Sequence, residues 1–218
     1  MEADFWHARW KDNLIGFHLD EVNPYLKQYW SALNLPKGSR VLVPLCGKSV
    51  DMCWLAEQGY EVIGIELSPL AVAAFFEEQG LTAKKLSDCF DVWQAGSIKI
   101  FCGDFFDLLP ADIGKIDAVY DRAALVALPT EMRANYVRQL KSLVPGPIKS
   151  LLVTVYYEQT RMDGPPFSVS ADEVRNLLSD SYDIDMRQKI DVLADNERFR
   201  QKGLNFLEEH VYLLQSRN

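Results

Sequence analysis

No stretch of this 218-residue sequence reaches about 18 consecutive apolar residues, so no segment reads as a membrane-spanning helix. Cysteine is scarce: Cys46, Cys53, Cys89 and Cys102, with no two forming C-x-x-C. Histidine is scarcer, at three. Together they give no metal-ligand spacing, and the cysteines read as free thiols of a reducing cytoplasm. Positive charge is also short, with 23 Lys and Arg against 31 Asp and Glu, a net charge of −8. That balance argues against binding a nucleic-acid backbone or an anionic membrane surface. The first residues, MEADFWHARW, have neither a basic segment nor an apolar one, so they do not read as a secretory leader.

What is present is an ordinary globular composition, 48% hydrophobic and 25% charged. There are no repeats and no low-complexity linker, so the expectation is one domain over residues 1–218. In it, residues 1–36 form an arm and helix acting as a lid, and residues 37–218 a Rossmann-like core. The chain is organised around Arg40 to Glu66, RVLVPLCGKSVDMCWLAEQGYEVIGIE. A strand at Val41–Val43 runs into a turn at Cys46-Gly47-Lys48. A helix with Ser49 as N-cap follows and stops at Gly59, and a second strand ends in Glu66. This is a βαβ unit of the nucleotide-binding kind.

The composition of the turn decides among ligands. A P-loop needs a glycine five residues before Gly47, where this chain has Leu42, so the GKS is a fragment. A dinucleotide fingerprint needs three glycines, and Leu45-Cys46-Gly47-Lys48-Ser49-Val50 has one. A ribose without a pyrophosphate fits better. Gly47 admits close backbone approach, and Glu66 can accept hydrogen bonds from both ribose hydroxyls. S-adenosylmethionine is the common ligand of that kind; a βαβ unit with no cofactor is the bland alternative.

Elsewhere, residues 1–20 concentrate Phe5, Trp6, Trp10 and Phe17, either a packing arm or a lid. Asn23-Pro24 opens a helix whose apolar stripe, Val22 to Leu33, is core. Ser68-Pro69 opens another, closed by Gly80. Residues 81–97 look irregular, with a possible short strand at Val92-Trp93. The strand 97–101 leads to Asp104 and Phe105, which either meet an adenine ring or are a loop acid and a core aromatic. The strand Ile116–Tyr120 leads to Asp121-Arg122, where a cation at a strand's carboxyl end faces the ligand crevice of an open sheet. Thr130 reads as a helix cap, residues 158–169 as a stiff surface loop, and Ser170 to Glu173 as a capping box. Strands at 183–190 and 209–215 finish the chain, with charged residues, Arg198 among them, between.

The order of elements matches the class I methyltransferases: α/β, with a seven-stranded, mostly parallel sheet whose last strand is antiparallel. More closely, residues 5–215 resemble the thiopurine S-methyltransferase family, its bacterial branch in particular. The resemblance rests on Phe5-Trp6 with Arg9-Trp10, on Gly16-Phe17-His18, on Val43 to Met52, and on Gly64 to Ser68. Phe75-Phe76, Asp121 to Ala127 and Gly164 to Phe167 complete it. It implies that Trp10 covers the adenosylmethionine, Leu45 meets its methionine end, Glu66 holds the ribose, and Arg122 lies by cofactor and acceptor. Phe17 and Arg198 resemble residues near the acceptor purine. Asp104 departs from the animal branch, which has a smaller residue there.

The implied reaction is in-line displacement, in which a thiol or thione sulfur attacks the sulfonium methyl. It needs no metal and no covalent enzyme intermediate. Alignment alone is worth up to about 7–11 kcal/mol. The implied partner is a small thiol, with no nucleic acid or membrane, and the chain is expected to be a monomer. Reduced selenium or tellurium acceptors, and a non-catalytic adenosylmethionine-binding protein, are the alternative readings.

Overall fold

The structure, a computed structural model, describes residues 3–87 and 91–217, so Cys89 lies outside the described residues. The chain divides into two compact units, residues 1–120 and 121–218.

The first unit opens with α1 (Ala3–Lys11) and α2 (Pro24–Tyr29), the latter tightening into a 3-10 turn, Trp30–Leu33. Asn23 caps α2 as expected, its side chain accepting from the N–H groups of Tyr25 and Leu26. Then come β1 (Arg40–Pro44), α3 (Asp51–Glu57), β2 (Glu61–Glu66), α4 (Pro69–Glu78), β3 (Lys84–Ser87), β4 (Asp91–Ala95), β5 (Ile98–Cys102), α5 (Pro110–Ile113) and β6 (Ala118–Arg122). β6 carries the chain into the second unit.

β1 is parallel to β2, from Arg40 opposite Glu61 to Pro44 opposite Ile65. β2 is parallel to β5, with Glu66 opposite Cys102, and β1 is parallel to β6. These registers put the carboxyl ends of β1, β2 and β5 at one edge, where open α/β sheets place ligands. β1 and β2 are buried nearly end to end, as parallel strands covered on both faces must be. Met52, Leu55, Val72 and Phe75 pack with them at 0% exposure. Each such side chain contributes about 1.5–3 kcal/mol.

Nine strands form among the described residues, where seven are expected from the sequence. The additional pair is β3 and β4, which lie antiparallel to each other, with β4 antiparallel to β5. Residues 81–97 read as irregular because their alternation is weak. Pairing on β5 and a stack of Trp93 on Phe76, 6.0 Å apart and 13° from coplanar, make them strands.

The second unit contains α6 (Thr130–Leu143), β7 (Lys149–Tyr156), α7 (Ala171–Leu178), β8 (Tyr182–Asp191), α8 (Glu197–Gln201) and β9 (Glu208–Ser216). β9 runs antiparallel to both β7 and β8, matching the expected antiparallel last strand. Four local expectations need correction. Ser49 precedes the cap position of α3, which belongs to Val50; its hydroxyl accepts from the Asp51 N–H at 3.3 Å. Thr130 is the first residue of α6, and the cap position belongs to Pro129. Ser170 does accept from the Glu173 N–H, but the Glu173 carboxylate is taken by the buried Arg133 at 2.6 Å, so the box is half made. The 158–169 loop is not merely superficial: Met162 and Val169 are buried, and the Phe167 ring fills the space beside Gly164.

Candidate functional site

The site of the first unit is assembled where β1, β2 and β5 end. After β1 the backbone makes two left-handed residues, Leu45 at φ 49° and Gly47 at φ 54°. For a leucine this region is strained by about 1–3 kcal/mol, and such strain clusters at ligand sites. The turn is pinned from β2: the Cys46 N–H donates to Ile65 O at 3.0 Å, and the Gly47 N–H to Glu66 Oε2 at 2.9 Å.

Glu66 is the centre. Its other oxygen, Oε1, accepts from the Ser68 N–H at 2.7 Å as the chain turns into α4. Burial pushes the carboxyl up to about 7, and the backbone N–H groups of Ser68, Gly47 and Leu67 oppose that rise. From β5, the Gly103 N–H donates to the Glu66 carbonyl at 2.9 Å, tying the third strand end to the same point.

The N-terminal arm reaches this turn. The Cζ2 of Trp10 lies 3.2 Å from where a Cβ on Gly47 would stand. Phe17 sits edge-on to both Trp10 (5.7 Å) and Trp6 (5.9 Å), which are one helical turn apart on α1. Thus Trp10, Phe17, Leu45, Gly47 and Glu66, dispersed over the sequence, meet around one turn.

Asp104 and Phe105 receive local roles. Asp104 is exposed and its carboxylate accepts from the Phe106 N–H at 2.9 Å. Phe105 is 4% exposed and edge-on to Phe106. Cys46 is buried, its thiol held well above its ordinary range by burial and by Glu66, which suits a structural residue better than a nucleophile. Its sulfur lies 2.8 Å from where a Cβ on Gly64 would stand, which explains the glycine in mid-strand.

In the second unit, Arg122 ends β6 and Ala123 follows at φ 69°. Asp121, 5% exposed, secures this turn by accepting from the Leu125 N–H at 3.1 Å and the Tyr136 hydroxyl at 2.7 Å. Burial pushes Asp121 up to about 6. Arg198 is exposed on α8, its guanidinium 5.8 Å from the Phe199 ring centre.

Sequence reasoning missed Asp51. It reads as a first-turn acid favoured by its helix, yet it is 2% exposed. It accepts from the Asn23 N–H at 2.7 Å and the Tyr120 hydroxyl at 2.9 Å, joining the base of the arm to α3. Its only local signal was an acid beside an apolar helix face.

These residues suit a ribosyl sulfonium ligand. The Glu66 oxygens accept from the Gly47 and Ser68 N–H groups and keep acceptor capacity for hydroxyls. Gly47 lets the turn approach the Trp10 indole closely, and aromatic rings favour a neighbouring cation.

The thiopurine S-methyltransferase family model matches residues 1–217. A thiopurine S-methyltransferase of Azotobacter vinelandii is 51% identical over 218 residues, covering 100% of each chain. One of Nitrosospira multiformis is 49% identical, covering 100% of this chain and 99% of its own. Among solved structures, the chain is similar to 1,6-didemethyltoxoflavin-N1-methyltransferase of Burkholderia thailandensis. Its TM-score is 0.61 at 15% identity, over 99% of this chain and 86% of the other. An Anabaena variabilis SAM-dependent methyltransferase gives a TM-score of 0.61 at 13% identity, over 99% and 95%. The fold is therefore that of the class I methyltransferases, and no helix among the described residues is long and apolar enough to cross a membrane. By sequence over its whole length, the chain belongs to the thiopurine S-methyltransferase family.

Proposed function

We propose that this enzyme methylates the sulfur of a thiopurine or a similar heteroaromatic thiol, using S-adenosylmethionine. The observation that carries the reading is Glu66, a buried carboxylate held by the Gly47 and Ser68 N–H groups beneath Trp10. When bound, S-adenosylmethionine supplies an electrophilic methyl group on a sulfonium.

The chain's residues have separate tasks. Glu66 holds the ribose hydroxyls, and the left-handed backbone at Leu45 and Gly47 receives the amino-acid end. Trp10 would cover the ligand and, with Phe17, exclude water, giving a dry aromatic site. Phe17 also offers its ring to a flat acceptor. Arg122 has a guanidinium that stays charged at working pH. It would hold the cofactor's carboxylate and favour the ionised sulfur. Asp121 and Tyr136 keep its turn in place. Arg198 contributes to acceptor binding, Phe105 to packing at the adenine, and Asp104 to the loop that carries Phe105. No proton acceptor is required, because a heteroaromatic thiol ionises readily beside a cation.

The same reading puts the enzyme in a reducing cytoplasm, supported by free thiols at Cys46, Cys53 and Cys102. Calorimetry with S-adenosylhomocysteine, followed by methyl-transfer assays on a thiopurine and on its oxygen analogue, tests the proposal. Ligand binding with methylation of the thiopurine alone supports it. Failure to bind S-adenosylhomocysteine would end it, and equal activity on the oxygen analogue would remove the sulfur preference.

A further inference from the structure

The glycine turn carries a lysine, Lys48, whose GKS setting lacks the upstream glycine of a phosphate-binding loop. Its Nζ lies 2.6 Å from Glu78 Oε1, at the far end of α4. The Lys48 side chain is 12% exposed and that of Glu78 44%. The ammonium is thereby placed at the C-terminal end of α4, where the helix dipole favours a cation. Glu78 is the last residue of α4, where the dipole disfavours an anion, and no basic residue shares that last turn. The helix by itself does not account for Glu78; the pair does.

The pair also closes a circuit around the acid. Gly47 donates to Glu66, and Glu66 accepts from Ser68, which opens α4. The helix α4 ends at Glu78, and Glu78 returns to Lys48, next to Gly47. A second tie follows the same path: Cys53 Sγ on α3 lies 3.6 Å from Gln79 Oε1, just past Glu78. The turn is therefore held at one end of α4 through the carboxylate and at the other through the ion pair. Trp10 rests on the turn so held, 3.2 Å from the Cβ point of Gly47.

We infer that Lys48 and Glu78 form a positioning pair, which sets the glycine turn against Glu66 and under Trp10 and so tunes S-adenosylmethionine binding. The inference rests on the reading of Glu66 and Gly47 as the cofactor site. Neither residue touches reacting atoms; the pair acts through the turn. Its effect falls on the KM for S-adenosylmethionine and leaves kcat and the acceptor KM in place.

The test measures S-adenosylhomocysteine affinity by calorimetry, melting temperature, and the full kinetic split. The full-length enzyme is compared with Lys48→Met, Glu78→Gln, the exchanged pair Lys48→Glu with Glu78→Lys, and Glu66→Ala. Each single variant should weaken S-adenosylhomocysteine and raise the S-adenosylmethionine KM by about two- to five-fold, the range for partly exposed ion pairs. The exchanged pair should restore most of the affinity, because it recreates the attraction. If Glu66→Ala weakens binding but neither single variant does, the positioning role is wrong and the site stands. If the single variants lower the melting temperature with affinity unchanged, the pair only stabilises the fold, and the inference falls. If Glu66→Ala itself leaves affinity unchanged, the site reading fails first.

Discussion

Trp10 and Gly47, 37 positions apart in the numbering of the chain, are in such close register that a single methyl group would separate them: the indole Cζ2 lies 3.2 Å from the Cβ point of residue 47. Gly47 is also at φ 54°, a conformation that disfavours any side chain by about 1–2 kcal/mol. Gly47→Ala should therefore lower stability by about that amount and displace the indole. Amide exchange across residues 3–11 should accelerate in the variant, and S-adenosylhomocysteine should slow it in the parent enzyme. Unchanged exchange in Gly47→Ala would show that the arm does not depend on this contact.

Glu66→Ala removes the carboxylate that faces the turn. Loss of hydrogen bonds to a charged acceptor should weaken S-adenosylhomocysteine by about 1.5–3 kcal/mol, read by calorimetry. Affinity that survives the substitution would exclude Glu66 from the ligand.

The raised carboxyl of Glu66 gives two pH dependences of opposite sense. Its folded value, about 7, stands above its ordinary 4.5. Between those values the folded protein holds the proton more tightly than the unfolded one. This group's contribution to stability is therefore full below about 4.5 and declines as pH rises through about 7. Ribose hydroxyls donate best to the ionised form, so ligand affinity should rise over the upper part of the same range. Calorimetry at pH 6 and 8 should show tighter binding at pH 8, and Glu66→Gln should flatten the difference. A pH-independent affinity in the parent enzyme would contradict this assignment.

The Tyr136 hydroxyl, 2.7 Å from Asp121 Oδ2, is the side-chain donor to a buried carboxylate. Tyr136→Phe should destabilise the protein by about 1.5–3 kcal/mol at pH 8, where Asp121 is ionised. Asp121 lies at about 6, above its ordinary 3.8, so the loss should be smaller at pH 5, where the folded carboxyl holds its proton. Denaturant melts at the two pH values measure it; equal losses would remove the ionised partner from the account.

Arg122→Lys keeps the charge and loses the planar fork, while Arg122→Ala loses both. If the guanidinium favours the ionised sulfur, kcat/KM should fall more for Ala than for Lys. The deficit should shrink at high pH and for more acidic thiols. If it only grips the cofactor, both variants should raise the S-adenosylmethionine KM independently of acceptor acidity. Arg122→Ala with full activity would take the residue out of the site.

The local pattern alone set the βαβ unit of residues 40–66, because each of its signals is short-range: an apolar run, a glycine turn, a helix stop, an acid at a strand end. Glu66 and Gly47 stood out as candidate ligand residues for the same reason, and the motifs from Phe5-Trp6 to Gly164-Pro165-Pro166-Phe167 carried the family. Tertiary structure decided what depends on residues far apart in sequence. Asp51 looked like a dipole acid until Asn23 and Tyr120 arrived as its donors. Glu173 looked like half of a capping box until the buried Arg133 took it. Lys48 looked like a discarded fragment of a phosphate loop until α4 brought Glu78 to it. A charged or polar side chain has too many acceptable local states for periodicity to choose among them. Burial chooses, because a polar group removed from water must find a partner, and only the folded chain supplies one.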